Sequence, residues 1–531
     1  MRMTVASVLA VLLSSGCNAD MTITADADKE ASARAEIPGA ESRLAGDAWY
    51  QLGQDTLAAN LAREPIVTPA RNVILFIADG MDPTTVTAAR IYDGQSKGMA
   101  GEENILAFET LPHLALAKTY NTNMQTPDSA GTATAMMTGV KTKAGVINVT
   151  DAVPRGDCAA SLANPAIAAG ELAEMAGMAL GVISTARLTH ATPATVYAHA
   201  PDRGWEADSD LPESAAACPD IARQLIDFPY GDGLDVAMGG GRRNFLPAET
   251  TDPEYSFAKG RRDDGRDLTA EWSAKSGDHV YVWNQKGFDA LDITGDSKVL
   301  GLFEMSHMQY EADRAEDVAG EPSLAEMTGA AIDILSQDED GFFLMVEGGR
   351  VDHAHHAGNA ARALQDVQAF DAAVQTALDK VDLQETLIIV TADHGHTLSI
   401  QGYPQRGNPI LGLATAPNTD GTKGDSPSLA SDGKPYTTLV YANGPGSLFF
   451  GGEEDEEITR PVVTEEDAQA LNYRQQALVP SGSETHGGQD VSIYAQGPKA
   501  YLIDGVVEQN YVFHVIEHAL NLNARAEAGA E

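Results

Sequence analysis

Four short, almost wholly apolar runs limit what this chain can fold into: NVILFIADG (72–80), LGVISTA (180–186), GFFLMVEGG (341–349) and TLIIVTADHGH (386–396). None alternates between apolar and polar residues, which is the pattern of a strand covered on both faces. Between them lie stretches with helical periodicity, such as LAEMTGAAIDILSQ (324–337) and ARALQDVQAFDAAVQTALDKV (361–381). Strands alternating with helices predict an α/β fold, a three-layer sandwich with a mostly parallel central sheet and helices on both faces.

The runs also end alike. The first ends in Asp79-Gly80. The third ends in Glu347-Gly348-Gly349, followed by Asp352 and the histidines at 353, 355 and 356. The fourth ends in Asp393-His394-Gly395-His396. Open parallel sheets bind ligands beyond the carboxyl ends of their strands. A single acidic loop residue is ordinarily a solvated surface group, but three strands ending this way gather carboxylates at one edge. Crowded, partly buried carboxylates repel one another and lose hydration, and cations relieve both costs. Mixed Asp and His ligands favour zinc or a similar transition metal, whereas an all-oxygen set with a hydroxyl favours magnesium. Asp352 and His356, four residues apart, face one metal from a short helical turn. His486, in SETHGGQD, taken alone reads as a surface residue.

Two nearby metals suit in-line displacement at phosphorus, one activating a nucleophile and the other stabilising the leaving oxygen. The stretch TPDSAGTATAMMTG (126–139) offers that nucleophile. Ser129 stands where a helix cap is expected, and free N–H groups there add positive potential. A hydroxyl on zinc loses its proton near neutral pH, so no histidine base is required.

Composition narrows the partners. The chain has 531 residues, 35 basic and 77 acidic, for a net charge of −42. Such a surface repels nucleic acid and anionic membranes, so an anionic substrate needs local positive charge in its site. MRMTVASVLAVLLSSGC (1–17) reads as a signal peptide of lipoprotein type, with Cys17 as the lipidation site; its apolar run is too short to span a membrane. This predicts export to the periplasm, as an anchored lipoprotein or a released protein. Residues 18–66 read as an acidic tether or arm, 67–524 as the catalytic domain, 407–475 as a surface insertion within it, and 525–531 as a flexible tail. In an exported chain the two remaining cysteines, Cys158 and Cys218, pair more readily than they persist as two buried thiols.

Taken together, TPDSAGTATAMMTG, FIADGM, VEGGRVDHAHHAG, TADHGH and ETHGGQD resemble the alkaline phosphatase family over about residues 68–521. YRQQALVPSGSETHGGQDV and GYPQRG are similar to its animal-type branch. The resemblance implies an alkaline-phosphatase-like fold and hydrolysis of phosphate monoesters at alkaline pH through a phosphoserine at Ser129. It implies two zinc ions, one on Asp352, His356 and His486, the other on Asp79, Asp393, His394 and Ser129. A magnesium ion would share Asp79 with Thr192 and Glu347. Arg203 would grip the phosphate oxygens, oriented by Asp128; its planar fork suits bidentate phosphoryl recognition. His190 and His353 stand where the enteric bacterial type has Asp and Lys, which suggests altered magnesium affinity and a more alkaline optimum. Cys158 and Cys218 match an animal-type disulfide. A calcium-like site of that branch would fall on Glu254, the Phe303 carbonyl, Glu304 and Glu321, although the chain differs in length between 305 and 321. The family is often dimeric, making a homodimer the assembly to test. The same architecture serves phosphodiesterases and sulfatases, which are the alternatives in chemistry. A phosphate- or metal-binding lipoprotein without activity is the alternative in class.

Overall fold

The computed structural model describes residues 44, 46–293, 297–447 and 460–529; the leader 1–17 with Cys17 lies outside them. The chain divides into two compact units, Met1–Glu64 and Pro65–Glu531. In the first, the expected tether contains a helix, Ala48–Ala62. The Asp47 carboxylate caps it by accepting the Trp49 and Tyr50 amides, and none of its residues is buried.

The second unit is built on a ten-stranded sheet. In chain order its strands are β1 (Asn72–Ala78), β2 (His113–Lys118), β3 (Ala179–Arg187), β4 (Val236–Gly240), β5 (His279–Val282), β6 (Lys298–Leu302), β7 (Phe342–Gly348) and β8 (Thr386–Thr391), then β14 (Val491–Gln496) and β15 (Gly505–Glu508). They lie in the order β15-β2-β14-β8-β1-β7-β3-β4-β6-β5. Every neighbouring pair is parallel except those of β14, which runs against both β2 and β8. β1, β7 and β8 are buried along nearly their whole length, as their uninterrupted apolar sequences require. Helices Leu324–Leu335 and Ala360–Lys380 pack on each other and on β1, β3, β4 and β7, while helices Ala169–Met175 and Tyr511–Leu520 pack on β1, β3 and β7. The expected layered α/β architecture is therefore present.

Register positions the acids. Ile77 pairs with Glu347 across β1 and β7, and with Thr391 across β1 and β8. Because side chains alternate faces with period two, Glu347, Asp79 and Asp393 leave the sheet on the same side at the same end. Ser184 of β3 pairs with Glu347 from the other flank and donates a hydrogen bond to it.

Two expectations about the periphery change. Residues 525–529 of the expected tail are not simply a tail: Leu522–Gly529 is a helix that buries Leu522 and Ala526 and packs on the helix Ala169–Met175. These two apolar residues, one turn apart, dock an Ala-rich segment that readily forms helix. The 407–475 stretch carries its own apolar cluster of Leu413, Val463 and Ala468. It also adds β11 (Leu439–Gly444) between β10 (Leu398–Ile400) and β12 (Ala477–Pro480), which places Leu439 and Tyr441 in the main core. Two further short strands, β9 (Gly395–His396) and β13 (His486–Gly487), pair antiparallel and bring the His486 loop to the end of β8. Cys158 and Cys218 form a disulfide with Cα atoms 5.9 Å apart.

Candidate metal centre and nucleophile

Ser129 opens the helix Ser129–Thr138, but Asp128 is its cap. One Asp128 oxygen accepts the Gly131 amide at 3.1 Å; the other accepts the Gly145 amide at 2.8 Å and the Arg203 guanidinium at 3.3 Å. The serine hydroxyl is thereby free of capping. It is buried, with Oγ 3.1 Å from His394 Nε2 and 3.4 Å from Asp79 Oδ2. At the other end Gly139 adopts φ +74°, and a Cβ there would lie 2.7 Å from the Phe513 ring, so glycine is needed to stop the helix.

Asp79, Asp393 and His394 converge next to Ser129. His394 Nε2 lies 3.2 Å from Asp79 and 3.3 Å from Asp393. Asp352, His356 and His486 form an adjoining set. The two histidine Nε2 atoms are 3.0 Å apart, each 3.3 Å from the same Asp352 oxygen. Their other ring nitrogens face backbone carbonyls, His356 Nδ1 that of Glu484 at 2.6 Å and His486 Nδ1 that of Pro127 at 2.8 Å. A carbonyl only accepts, so each Nδ1 carries the proton and each Nε2 presents a lone pair. Two lone pairs and a carboxylate oxygen thus converge on one point, which a metal ion satisfies. The His394 and His486 rings stack at 3.6 Å, so the two sets adjoin.

The third expected set also fits. Asp79, His190 and Glu347 lie close enough to share an ion. Asp79 Oδ1, Glu347 Oε1 and Thr192 Oγ1 are buried without hydrogen-bond partners, a state that costs stability unless a ligand satisfies it. His190, expected beside this set, lies within reach of it. The electrostatics agree: burial, reinforced by the Asp352 charge, pushes Asp79 up to about 7; burial and Asp79 push Asp393 up to about 7. Glu347 is driven well above the carboxylate range by burial and by Asp79. Asp352 goes the other way. Burial opposes its charge, but the hydrogen bond and positive charge of His396 hold it well below the usual range.

Arg203 adjoins the same groups. Besides Asp128, its guanidinium donates to His190 Nε2 at 3.0 Å. Burial and that guanidinium hold His190 well below its ordinary value. His353 is depressed to about 3, chiefly by burial. Sequence reasoning missed His307, whose ring lies 4.1 Å from His353 and 5.3 Å from His190. It also missed His396 and Glu484, although the spacings Asp393-x-x-His396 and Glu484-x-His486 were visible.

The calcium-like set is assembled differently from expectation. Glu254, Glu304 and Asp317 come together. Glu321 instead accepts the Gln309 amide and lines a small cavity with Asp366. Asp317 directly follows a short turn at Arg314–Glu316. Arg242 already donates to Glu254 at 2.9 Å and to the Phe303 carbonyl at 3.2 Å, so two of the four expected ligands have a cationic partner.

The family model "Alkaline phosphatase" matches residues 70–522. The tissue-nonspecific alkaline phosphatase isozyme of Gallus gallus is 42% identical over 481 residues, 89% of this chain and 88% of the relative. The alkaline phosphatase of Gadus morhua is 42% identical over 479 residues, covering 89% and 96%. Among solved structures, the Thermus thermophilus alkaline phosphatase is 25% identical with a TM-score of 0.61, covering 86% of this chain and 93% of that one. The enzyme of the Antarctic bacterium TAB5 shares the fold, at 23% identity and a TM-score of 0.56 over 86% and 99%. The chain belongs to the alkaline phosphatase family.

Proposed function

We propose that this chain hydrolyses phosphate monoesters in two steps through a covalent phosphoserine at Ser129. The observation that carries the reading is the placement of the Ser129 hydroxyl, at a helix N-terminus and 3.1 Å from His394, between two convergent metal-ligand sets. Asp352, His356 and His486 would hold one zinc ion, Asp79, Asp393, His394 and Ser129 a second, and Asp79, Glu347 and Thr192, with His190 alongside, a magnesium ion. Bound there, these ions would favour the deprotonated serine and attacking water and offset negative charge on the leaving oxygen.

The chain's own groups supply the rest. Arg203, held by Asp128, grips two non-bridging oxygens of the phosphoryl group. Ser129 Oγ forms a bond to phosphorus as the ester P–O bond breaks, and the departing alkoxide takes a proton from water. A water oxygen then bonds to phosphorus as the Ser129 Oγ–P bond breaks, inorganic phosphate leaves and the serine recovers a proton. The helix amides behind Ser129 favour the extra negative charge of both steps.

Turnover of p-nitrophenyl phosphate beside its bis-ester and its sulfate analogue tests the reading. Preference for the monoester by orders of magnitude supports it; preference for either analogue overturns it. Replacing His190 by Asp together with His353 by Lys should shift the pH profile and magnesium response, and an unchanged profile would discount a tuning role for the two histidines. Export through residues 1–17, with Cys17 lipid-linked, is part of the same proposal, and the Cys158–Cys218 disulfide supports an oxidising compartment.

A further inference from the structure

His396 and Glu484 lie close enough to the metal-ligand sets to count as ligands on distance alone. Hydrogen bonding decides against it. His396 Nε2 lies 2.9 Å from Asp352 Oδ1, and His396 Nδ1 lies 2.6 Å from Glu484 Oε2. Both ring nitrogens face carboxylate oxygens, so the ring is a double donor with no lone pair for a metal. The second Glu484 oxygen accepts the Thr397 amide at 2.7 Å and the Thr397 hydroxyl at 2.6 Å. The Glu484 backbone is equally committed. Its amide donates to the His356 carbonyl at 2.9 Å, and its carbonyl receives the His356 ring proton. His486 follows two residues later. One fully buried glutamate therefore ties together three separate stretches: the helix Arg350–His356, the segment after β8 and the His486 loop.

We infer that Glu484 is the positioning residue of the Asp352–His356–His486 metal set, acting through His396, which aims Asp352, and through its own backbone, which fixes the His356 ring. A ligand set drawn from three distant segments loses affinity unless each ligand is held in its bound rotamer before the ion arrives. Among the described residues no backbone donor is turned on the Asp352 carboxylate; its oriented oxygen is the one His396 contacts. Neither Glu484 nor His396 touches Ser129 or Arg203, so the effect runs through metal affinity and ligand geometry rather than substrate contact.

The inference rests on the proposed metal reading, and the test separates the two. Zinc affinity is measured by competition with a chromophoric chelator on wild type, Glu484→Gln, His396→Gln, the double variant and His486→Ala. Melting of the metal-stripped proteins and the cobalt(II) absorption of the reloaded ones are recorded alongside. Glu484→Gln keeps the shape and the Thr397 contact but removes the carboxylate facing His396. It is expected to weaken binding at one of the two zinc sites about 10- to 100-fold, alter the cobalt spectrum, and lower kcat more than it raises KM. The double variant should bind zinc within about twofold of His396→Gln, because both changes break one chain of contacts. Glu484→Asp, which keeps the charge on a shorter arm, should lie between wild type and Glu484→Gln. Wild-type zinc affinity in Glu484→Gln, or independent, additive losses from the two single variants, overturns the inference. So does a lower melting point of the stripped protein with zinc affinity and cobalt spectrum unchanged. If His486→Ala itself keeps full zinc affinity, the metal reading falls and this inference with it.

Discussion

Two regions of this molecule bury carboxylates, and they manage the charge in opposite ways. Around Arg242 and Arg262, both almost fully buried, each acid has a guanidinium: Arg242 pairs with Asp252 at 2.8 Å and Glu254 at 2.9 Å, and Arg262 with Asp220 at 2.9 Å. At the carboxyl edge of the sheet, Asp79, Glu347 and Asp393 lie together without such a partner, and Asp79 and Glu347 each retain an unsatisfied oxygen. The first region is neutralised by the chain itself. The second is complete only with cations from outside, and that separates a structural acid cluster from one built for chemistry.

The largest break in this contrast should come from the nucleophile. Ser129→Ala is expected to lower turnover by about a thousandfold or more while zinc content and melting temperature stay close to wild type. Near-wild-type turnover in that variant would remove the covalent step.

Next in size is metal removal. Chelation should abolish turnover and reveal a pH slope in stability. In the stripped protein Asp79 and Asp393 titrate near 7, above their ordinary value of 3.8. Between those values the folded state binds more protons than the unfolded one, so stability falls as pH rises through that window and levels off above it. Zinc bound there would take the place of those protons and should erase the slope. Asp252 behaves inversely. Burial opposes its charge, but Arg242 holds it below the ordinary range, so its contribution is present at neutral pH and is lost only as pH falls into the acid range. Denaturant midpoints measured from acid to neutral pH, with and without zinc, check both signs.

Arg242→Met sharpens the contrast from the structural side. It leaves Asp252 and Glu254 buried without a counter-charge and should cost about 3–5 kcal/mol of folding stability, while the fraction still folded keeps its turnover per zinc-loaded chain.

How much of this was legible beforehand follows the same division. β1, β3, β7 and β8 could be read because strands buried on both faces are continuously apolar. β2 and β14 were missed because HLALAK and VSIYAQ bury only alternate residues, and β4 because VAMGG offers too little side chain to stand out. The single antiparallel insertion of β14 leaves no periodic trace at all. In the site, Asp79 and Asp393 were visible as strand-end acids and Ser129 as a nucleophile at a helix start, whereas Arg203 and His486 gained their roles only from family resemblance. Glu484, His396 and His307 reach the site through tertiary contacts, which the short spacings around the first two hint at without showing. The cap at Asp128 rather than Ser129 was a one-residue choice between two good capping types, settled by the contacts Asp128 makes with Gly145 and Arg203.

The smallest expected effect belongs to neither region. Arg223 and Asp227, an exposed i, i+4 pair at 2.9 Å, should contribute only a few tenths of a kcal/mol. Replacing Arg223 by Ala, which leaves Asp227 its second partner Arg266, should leave the denaturant midpoint and turnover within error of wild type.

The most direct test follows phosphorus. Zinc- and magnesium-loaded protein turning over a phosphate monoester is quenched in acid, digested and weighed peptide by peptide, beside metal-stripped protein treated identically. A single phosphoryl group on the peptide containing Ser129, present with metals and absent without them, is the predicted result. Full turnover with phosphate on another residue, or Ser129 labelled equally well in the stripped protein, would contradict it.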